Sequence, residues 1–186
     1  MYPELMDALV PLASNPVEIA GRNRVWRKLL VDAIITDPTW KNGDYVEQPR
    51  GLTSAIGFLL MATSIPLQWQ KQFPSAKTAD AWLADQIASR VKSSDANDML
   101  YYFRASEDYD PSVHLERITA PLLAINSADD FVNPPELPMM ETLIQKVKRG
   151  RFVLLPITDQ TRGHGTHSQP VIWGDQLGAF LAPIRR

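Results

Sequence analysis

A chain of 186 residues with 45% hydrophobic and 22% charged residues is about one domain by length and carries enough apolar mass to bury a core without staples. Its 19 Lys+Arg against 21 Asp+Glu leave no basic excess to hold nucleic acid or an anionic membrane. The absence of cysteine excludes a disulfide framework, a thiolate zinc site and a cysteine nucleophile, and fits a reducing, cytoplasmic setting.

In chain order, the first residues lack the basic region and long apolar run of a signal peptide. The run Ala8-Leu9-Val10-Pro11-Leu12-Ala13 predicts a buried strand. Trp26, Leu29, Leu30, Ala33 and Ile34 follow the i, i+3, i+4, i+7, i+8 spacing of an amphipathic helix, which Asp37-Pro38 ends. Residues 41–44 read as a turn. A helix is predicted over 52–62, which holds the longest apolar stretch, far short of the ~20 residues that span a bilayer. Ala79, Leu83, Ile87 and Val91 form a further helical stripe. Ser94-Asp95 caps a helix through 99–103. A second strand is predicted over 121–126, a helix over 139–147 after Pro135, a third strand over 152–156 and a last helix over 170–181. The strand runs are continuously apolar, as in a parallel sheet covered on both faces. Proline, at 15 residues against a usual share of about 5%, is spread as punctuation, and no internal repeat stands out. The pattern is mixed α/β. Residues 1–15 and 115–186 form its core, and 16–114 a mostly helical lid or cap insertion. A separate helical domain over 17–114 is the alternative, disfavoured because Asp110-Pro111 and Ala120-Pro121 mark an exit from an insertion.

Two loops carry the chemistry. Asp129 and Asp130 follow the second strand, and Gly163-His164-Gly165-Thr166-His167 follows the third. In open α/β sheets reactive groups sit beyond the carboxyl ends of strands. An acid that orients a histidine, and a histidine that takes a proton from a serine, are two parts of a Ser-His-Asp arrangement. The flanking glycines let the backbone turn the ring toward its partners. Alone, either loop reads as a cap or a turn; together and in this order they read as a site. Asp129, Asp130, His164 and His167 also make a conceivable metal set, but Gly-His-Gly-Thr-His suits a loop better than a ligand helix, and no metal is expected. Arg22, Arg24, Arg27 and Lys28 cluster at the mouth of the lid, where a guanidinium can grip a substrate carboxylate; a solvated helix face is the plainer reading. His114 reads as a surface residue. Trp26, Trp40, Trp69, Trp82 and Trp173 read as core or lid packing.

The chain resembles the C-terminal half of the homoserine O-acetyltransferase-like branch of the α/β-hydrolases. The matching segments are Tyr2-Pro3 with Met6-Asp7-Ala8-Leu9 and Pro11-Leu12-Ala13, Gly21-Arg22-Asn23-Arg24, and Asp37-Pro38-x-Trp40-x-x-Gly43-Asp44-Tyr45. They continue with Asp95-Ala96-Asn97-Asp98, Ile118-x-Ala120-Pro121-Leu122-Leu123, Asp130-x-x-x-Pro134-Pro135-Glu136, and Gly163-His164. The resemblance implies a partial α/β-hydrolase fold: the last three parallel strands, flanking helices and a mostly helical lid. It implies Asp130 as the triad acid, four residues before Pro134, and His164 as the base. The family's nucleophile stands in a Gly-x-Ser-x-Gly elbow. No serine here has that context; Ser14, Ser127 and Ser168 all lack it. The expected function is therefore that of the C-terminal part of a serine acyltransferase or esterase, inactive alone; a non-enzymatic binding or assembly module, or a relic, is the alternative. Acetyl-CoA is implied as an acyl-donor substrate and no bound cofactor is expected. Gly165-Thr166-His167 stands where the acetyltransferases carry an acidic residue after Gly-His, and the Gly21–Arg24 segment aligns with them only after a shift of one helical turn. Ester hydrolysis through the same acyl-enzyme thus stands beside acetyl transfer. Expected partners are a small ester or acyl substrate and either the missing N-terminal half or a second copy paired through the exposed first strand. Neither nucleic acid nor membrane is expected.

Overall fold

A computed structural model describes residues 3–184; Met1 and Tyr2, the start of the first motif, lie outside the described residues. The chain divides into two compact units. One comprises Met1–Glu18 and Asp110–Arg186, the other Ile19–Tyr109.

The first unit is built on two parallel strands, β1 (Leu122–Ser127) and β2 (Gly150–Leu155), with Leu122 opposite Gly150 and Ser127 opposite Leu155. On the other side of β1 runs the predicted first strand, which is only two isolated bridges, Leu9 to Leu122 and Leu12 to Ile125. The interruption has a chemical cause. Leu9 N–H donates to Pro121 O, Leu123 N–H to Leu9 O, Ile125 N–H to Pro11 O and Ala13 N–H to Ile125 O. The donor missing from this ladder is that of Pro11, whose nitrogen carries no hydrogen.

Every residue of β1 is buried. Leu123 and Ile125 pack with Leu155, Trp173 and Phe180. Leu122 and Ala124 pack on the opposite face with Leu115, Met140, Ile144 and Val147. The two-sided cover predicted for the strands is complete for β1 alone. In β2, Arg151 and Leu154 are exposed, because β2 has a neighbour on only one side among the described residues. The predicted helix over 139–147 is an α-helix only at Met139–Leu143, followed by a 3-10 turn at Ile144–Lys146. The tighter winding brings Val147 N–H to Ile144 O and Gly150 N–H to Val147 O, which turns the chain directly into β2. The last helix, at Pro170–Leu181, opens on a proline, where the missing N–H has no intrahelical partner to lose.

The second unit is helical. Its elements are α1 (Gly21–Ile35), α2 (Gly51–Ala62), α3 (Pro66–Gln72), α4 (Ala76–Ser93) and α5 (Ala96–Arg104). Met139–Leu143 and Pro170–Leu181 are accordingly α6 and α7. The predicted α1 stripe shifts in the structure: Leu29 is 45% exposed, while Val31 is buried beside Trp26, Leu30 and Ile34. Contacts with both α2 and α5 widen the buried arc of α1; Trp26 meets Phe103 of α5 edge-on at 5.6 Å. Helix α4 is capped reciprocally by Ser75 and Thr78, yet none of its residues is fully buried, and Leu83 of its predicted stripe is exposed. Trp82 of α4 stacks with Phe73 at 4.6 Å and lies 4.8 Å from Trp69. Among the described residues no single helix is long and apolar enough to cross a membrane.

Helices α1 and α2 approach closely at Gly51. A Cβ on Gly51 would stand 2.0 Å from the Ala33 carbonyl oxygen, whereas one on Gly57, in the same helix, would meet nothing within 4 Å. Gly51→Ala is therefore expected to destabilise the protein by about 1–3 kcal/mol through overpacking. Gly57→Ala should stabilise it by about 0.5–1 kcal/mol through helix propensity. Urea unfolding of the two variants checks the contrast; equal midpoints would contradict the helix contact.

Candidate active site

Because β1 and β2 run parallel, the turns that follow them emerge at the same end of the unit. Asp130 N–H donates to Ser127 O, closing the turn after β1, and Asp130 is 0% exposed. A carboxylate in that position requires compensating donors. Its Oδ1 accepts from Val132 N–H at 2.7 Å and from Asn133 N–H at 3.2 Å. Its Oδ2 lies 3.0 Å from His164 Nδ1. His164 stands in a 3-10 turn, Gly163–Ser168, after β2, and its side chain is 28% exposed. The sequence-predicted acid and base are thus in contact. With Nδ1–H donated to Asp130, Nε2 is the nitrogen that offers a lone pair.

The surrounding bonds tie three stretches of chain to this pair. Asn133 Nδ2 donates to Ala13 O at 2.7 Å and lies 3.5 Å from Asp130 Oδ2; Asn15 Nδ2 donates to Asn133 Oδ1. The Asn126 side chain accepts from Ser14 N–H and donates to Ser14 O. The Asp129 carboxylate accepts from the Ser127 hydroxyl at 2.5 Å and from Gly163 N–H at 3.0 Å. Of the two glycines that flank His164, Gly163 has the left-handed φ of +55°. Arg162 N–H donates to Thr166 Oγ1, Trp173 Nε1 donates to Thr166 O, and His167 Nδ1 lies 2.5 Å from His164 O. Asn133, Asn126 and the Asp129–Gly163 link were absent from the sequence reading. Apart from the contacts of Asn133 with Asp130, their bonds join residues more than thirty positions apart and leave no local signature.

Of the three candidate arginines, all on α1, Arg22 and Arg24 are exposed. Arg27 is engaged within the helical unit. Its Nε donates to Asn23 Oδ1 and its Nη1 to Ser106 Oγ, and its guanidinium lies 4.9 Å from the Trp26 ring and 5.3 Å from the Phe103 ring. Burial pulls its pKa below the ordinary arginine value. Lys28 pairs with Asp32 on the next turn, and His114 is exposed. Among the described residues no three His, Cys, Asp or Glu side chains converge to hold a metal ion.

The helical-unit motifs converge on Asn97. Its Oδ1 accepts from Trp40 Nε1 and its Nδ2 donates to Gly43 O, so one amide holds both ends of a turn whose Lys41 and Asn42 are left-handed. This turn, Asn97 and Arg104 border a cleft of about 450 Å³.

No protein-family model matches the chain. It is 31% identical over 149 residues to the homoserine O-acetyltransferase of Haemophilus influenzae, a match that covers 71% of this chain and 40% of that protein. Among solved structures, a homoserine O-acetyltransferase from Bacillus anthracis superposes with a TM-score of 0.82 at 20% identity, over 98% of this chain and 55% of that one. An esterase does so with the same score and identity, over 97% and 55%. These superpositions show the α/β-hydrolase fold. The chain spans about half the length of the relatives it matches.

The cap of α5 carries a pH dependence. Asp95 Oδ2 accepts from the Tyr45 hydroxyl at 2.6 Å and from Gln48 Nε2 at 2.8 Å, and Oδ1 accepts from two backbone amides. The Tyr45 bond, with the other donors, holds the Asp95 carboxyl below its ordinary range. The contribution is therefore present above the unfolded pKa of about 3.9 and is lost as pH falls through the lower folded value. Tyr45→Phe is expected to cost about 1 kcal/mol at neutral pH, with the difference from wild type shrinking in acid, as pH falls below the unfolded carboxyl pKa of about 3.9 and through the lower folded value. Chemical unfolding at the two pH values measures this; a penalty that grows in acid would contradict it.

Proposed function

We propose, for a chain that is homologous to part of the homoserine O-acetyltransferases and spans about half its relatives' length, that it supplies the acid and base of a serine acyltransferase or esterase. The observation that carries the proposal is the buried Asp130 carboxylate 3.0 Å from His164 Nδ1. Asp130 fixes the ring and stabilises it when protonated. Nε2 takes the proton of a serine hydroxyl as that oxygen attacks the acyl carbon, then returns it to the leaving group. In the second half Nε2 deprotonates water or an acceptor hydroxyl, which attacks the acyl-serine, and Nε2 then returns the proton to the departing serine oxygen.

The serine and the oxyanion-binding amides come from polypeptide outside this chain. The sequence holds no Gly-x-Ser-x-Gly. The Ser127 hydroxyl donates to Asp129 and the Ser168 hydroxyl to Gly165 O, so both are turned to other work. The segment 9–13 supports a partner as well. An edge proline ordinarily turns its missing donor to solvent. Pro11 instead faces β1, so Val10 and Leu12, on the alternate register, keep their N–H groups on the outer edge, where a further strand pairs. The substrate is a small ester or acyl compound, with acetyl-CoA as the acyl donor where the reaction is transfer. Arg22 and Arg24 are the proposed grips for a substrate carboxylate. The setting is cytoplasmic, without nucleic acid or membrane. The outer edge, unpaired among the described residues, also favours a second reading, an assembly module that uses the same surface without catalysis.

A fluorophosphonate serine probe read by intact mass tests the proposal. The chain alone is expected to stay unlabelled. Co-expression with the elbow-bearing N-terminal segment of a relative is expected to restore labelling on that segment's serine, lowered about 10³-fold or more by His164→Ala. Stoichiometric, His164-dependent labelling of the chain alone would mean that one of its own serines is the nucleophile. Light scattering checks the edge: self-association is expected for the chain alone, and a sharp monomer across a wide concentration range counts against the open strand.

A further inference from the structure

The two adjacent acids after β1 face different partners. Asp130 meets the His164 ring. Asp129 meets the backbone one residue before that ring, at Gly163 N–H. We infer that Asp129 is a positioning residue: its carboxylate ties the turn after β1 to the loop after β2 and so sets the His164 ring on Asp130. The inference rests on the reading of Asp130 and His164 as the acid–base pair.

Three observations support it. First, the Asp129 carboxylate is itself locked, since Oδ1 takes the Ser127 hydroxyl at 2.5 Å while Oδ2 takes Gly163 N–H at 3.0 Å. Ser127 ends β1, so the acid is anchored to the sheet. Second, the recipient is the residue where the loop reverses. Gly163 is buried and has φ +55°, a conformation that costs a residue with a Cβ. Its buried N–H needs an acceptor, and Asp129 provides one from 34 positions away. Third, the rest of the loop is pinned elsewhere. Thr166 holds Arg162 N–H through its hydroxyl and accepts from Trp173 of α7 through its carbonyl, and His167 Nδ1 meets His164 O. The loop is thus fastened to α7 on one side and to the acid turn on the other. The second fastening is one bond away from the histidine. Loosening it lets the ring drift from Asp130 with the rest of the loop still in place.

A purely structural role for Asp129 changes stability alone; a positioning role changes the His164 ring. The readout is the tautomer of His164, which is set by the bond its Nδ1 makes. It is measured by nitrogen-15 imidazole spectra of the full chain, well above the ordinary imidazole pKa of about 6.5. Of the three histidines, His164 is assigned by loss of its signals in His164→Gln. The wild type is expected to be mainly the Nδ1–H form. Asp129→Ala is expected to shift the ratio toward Nε2–H by about threefold or more, with the Gly163 amide displaced and the fold retained. Asp129→Asn keeps an oxygen for Gly163 N–H and should restore most of the wild-type ratio. An unchanged ratio in Asp129→Ala overturns the inference. Should that variant fail to fold, Ser127→Ala decides: it frees Oδ1, a smaller shift in the same direction is expected, and no shift overturns the inference. Asp130→Asn separates the two layers. If it leaves the His164 ratio at the wild-type value, the acid–base pair itself falls. If it moves the ratio while Asp129→Ala does not, the pair stands and the Asp129 role falls.

Discussion

The structure turns on a carboxylate taken out of water. Asp130 is fully buried, and a buried carboxylate without partners would be among the most costly groups a small unit can hold. Two consecutive amides, those of Val132 and Asn133, meet one oxygen, and the His164 ring meets the other. That solution needs the loops after β1 and β2 to sit side by side, which needs the strands parallel and in register. It also needs β1 buried on both faces, because only a strand clamped by α6 and α7 fixes the turn that follows it. The apolar clusters on either side of β1 thus serve the polar end of the strand as much as its middle.

The asparagines extend this constraint to the start of the chain. Ala13 has a left-handed φ of 47°, unfavourable for a residue with a Cβ. Its carbonyl accepts from Asn133, and the next residue is held on both backbone groups by Asn126. The strained turn is kept by bonds to the same loop that carries Asp130. The segment 9–13 and the acid turn therefore move together. A strand paired on the outer edge of that segment would feel the same restraint.

The legible parts of the sequence were those with a local cause. Pro170 opened α7, Asp95 capped α5 with its side chain on Asn97 N–H and Asp98 N–H, and the continuous apolar run marked β1. Asp130 and His164 could be placed because each follows a strand, and the family resemblance chose Asp130 over Asp129. Other features depended on partners far along the chain. The break in the first strand follows from which side of the segment Pro11 faces, and hydropathy is blind to that. Val31 displaced Leu29 in the buried arc because α1 has more than one neighbour. Arg27 was grouped with its exposed neighbours by charge, yet Asn23, Ser106 and two aromatic rings claim it. The convergence of Trp40, Gly43 and Tyr45 on Asp95 and Asn97 was legible only as separate motifs, since side-chain bonds across some fifty residues have no periodicity.

The chemistry of the pair is neutral between transfer and hydrolysis. In the mechanism proposed for both, Nε2 accepts one proton from the serine and a second from whatever hydroxyl attacks the acyl group. The same fold is found in a homoserine O-acetyltransferase and in an esterase. In the proposed reaction, selection between water and an alcohol rests on groups that hold the acceptor, and a guanidinium binds a carboxylate-bearing acceptor bidentately. Arg27 bonds Asn23 and Ser106 within its own unit; Arg22 and Arg24, exposed on the same helix, are the arginines proposed for a substrate carboxylate. On that proposal the pair moves the proton, and the residues outside it fix which oxygen arrives.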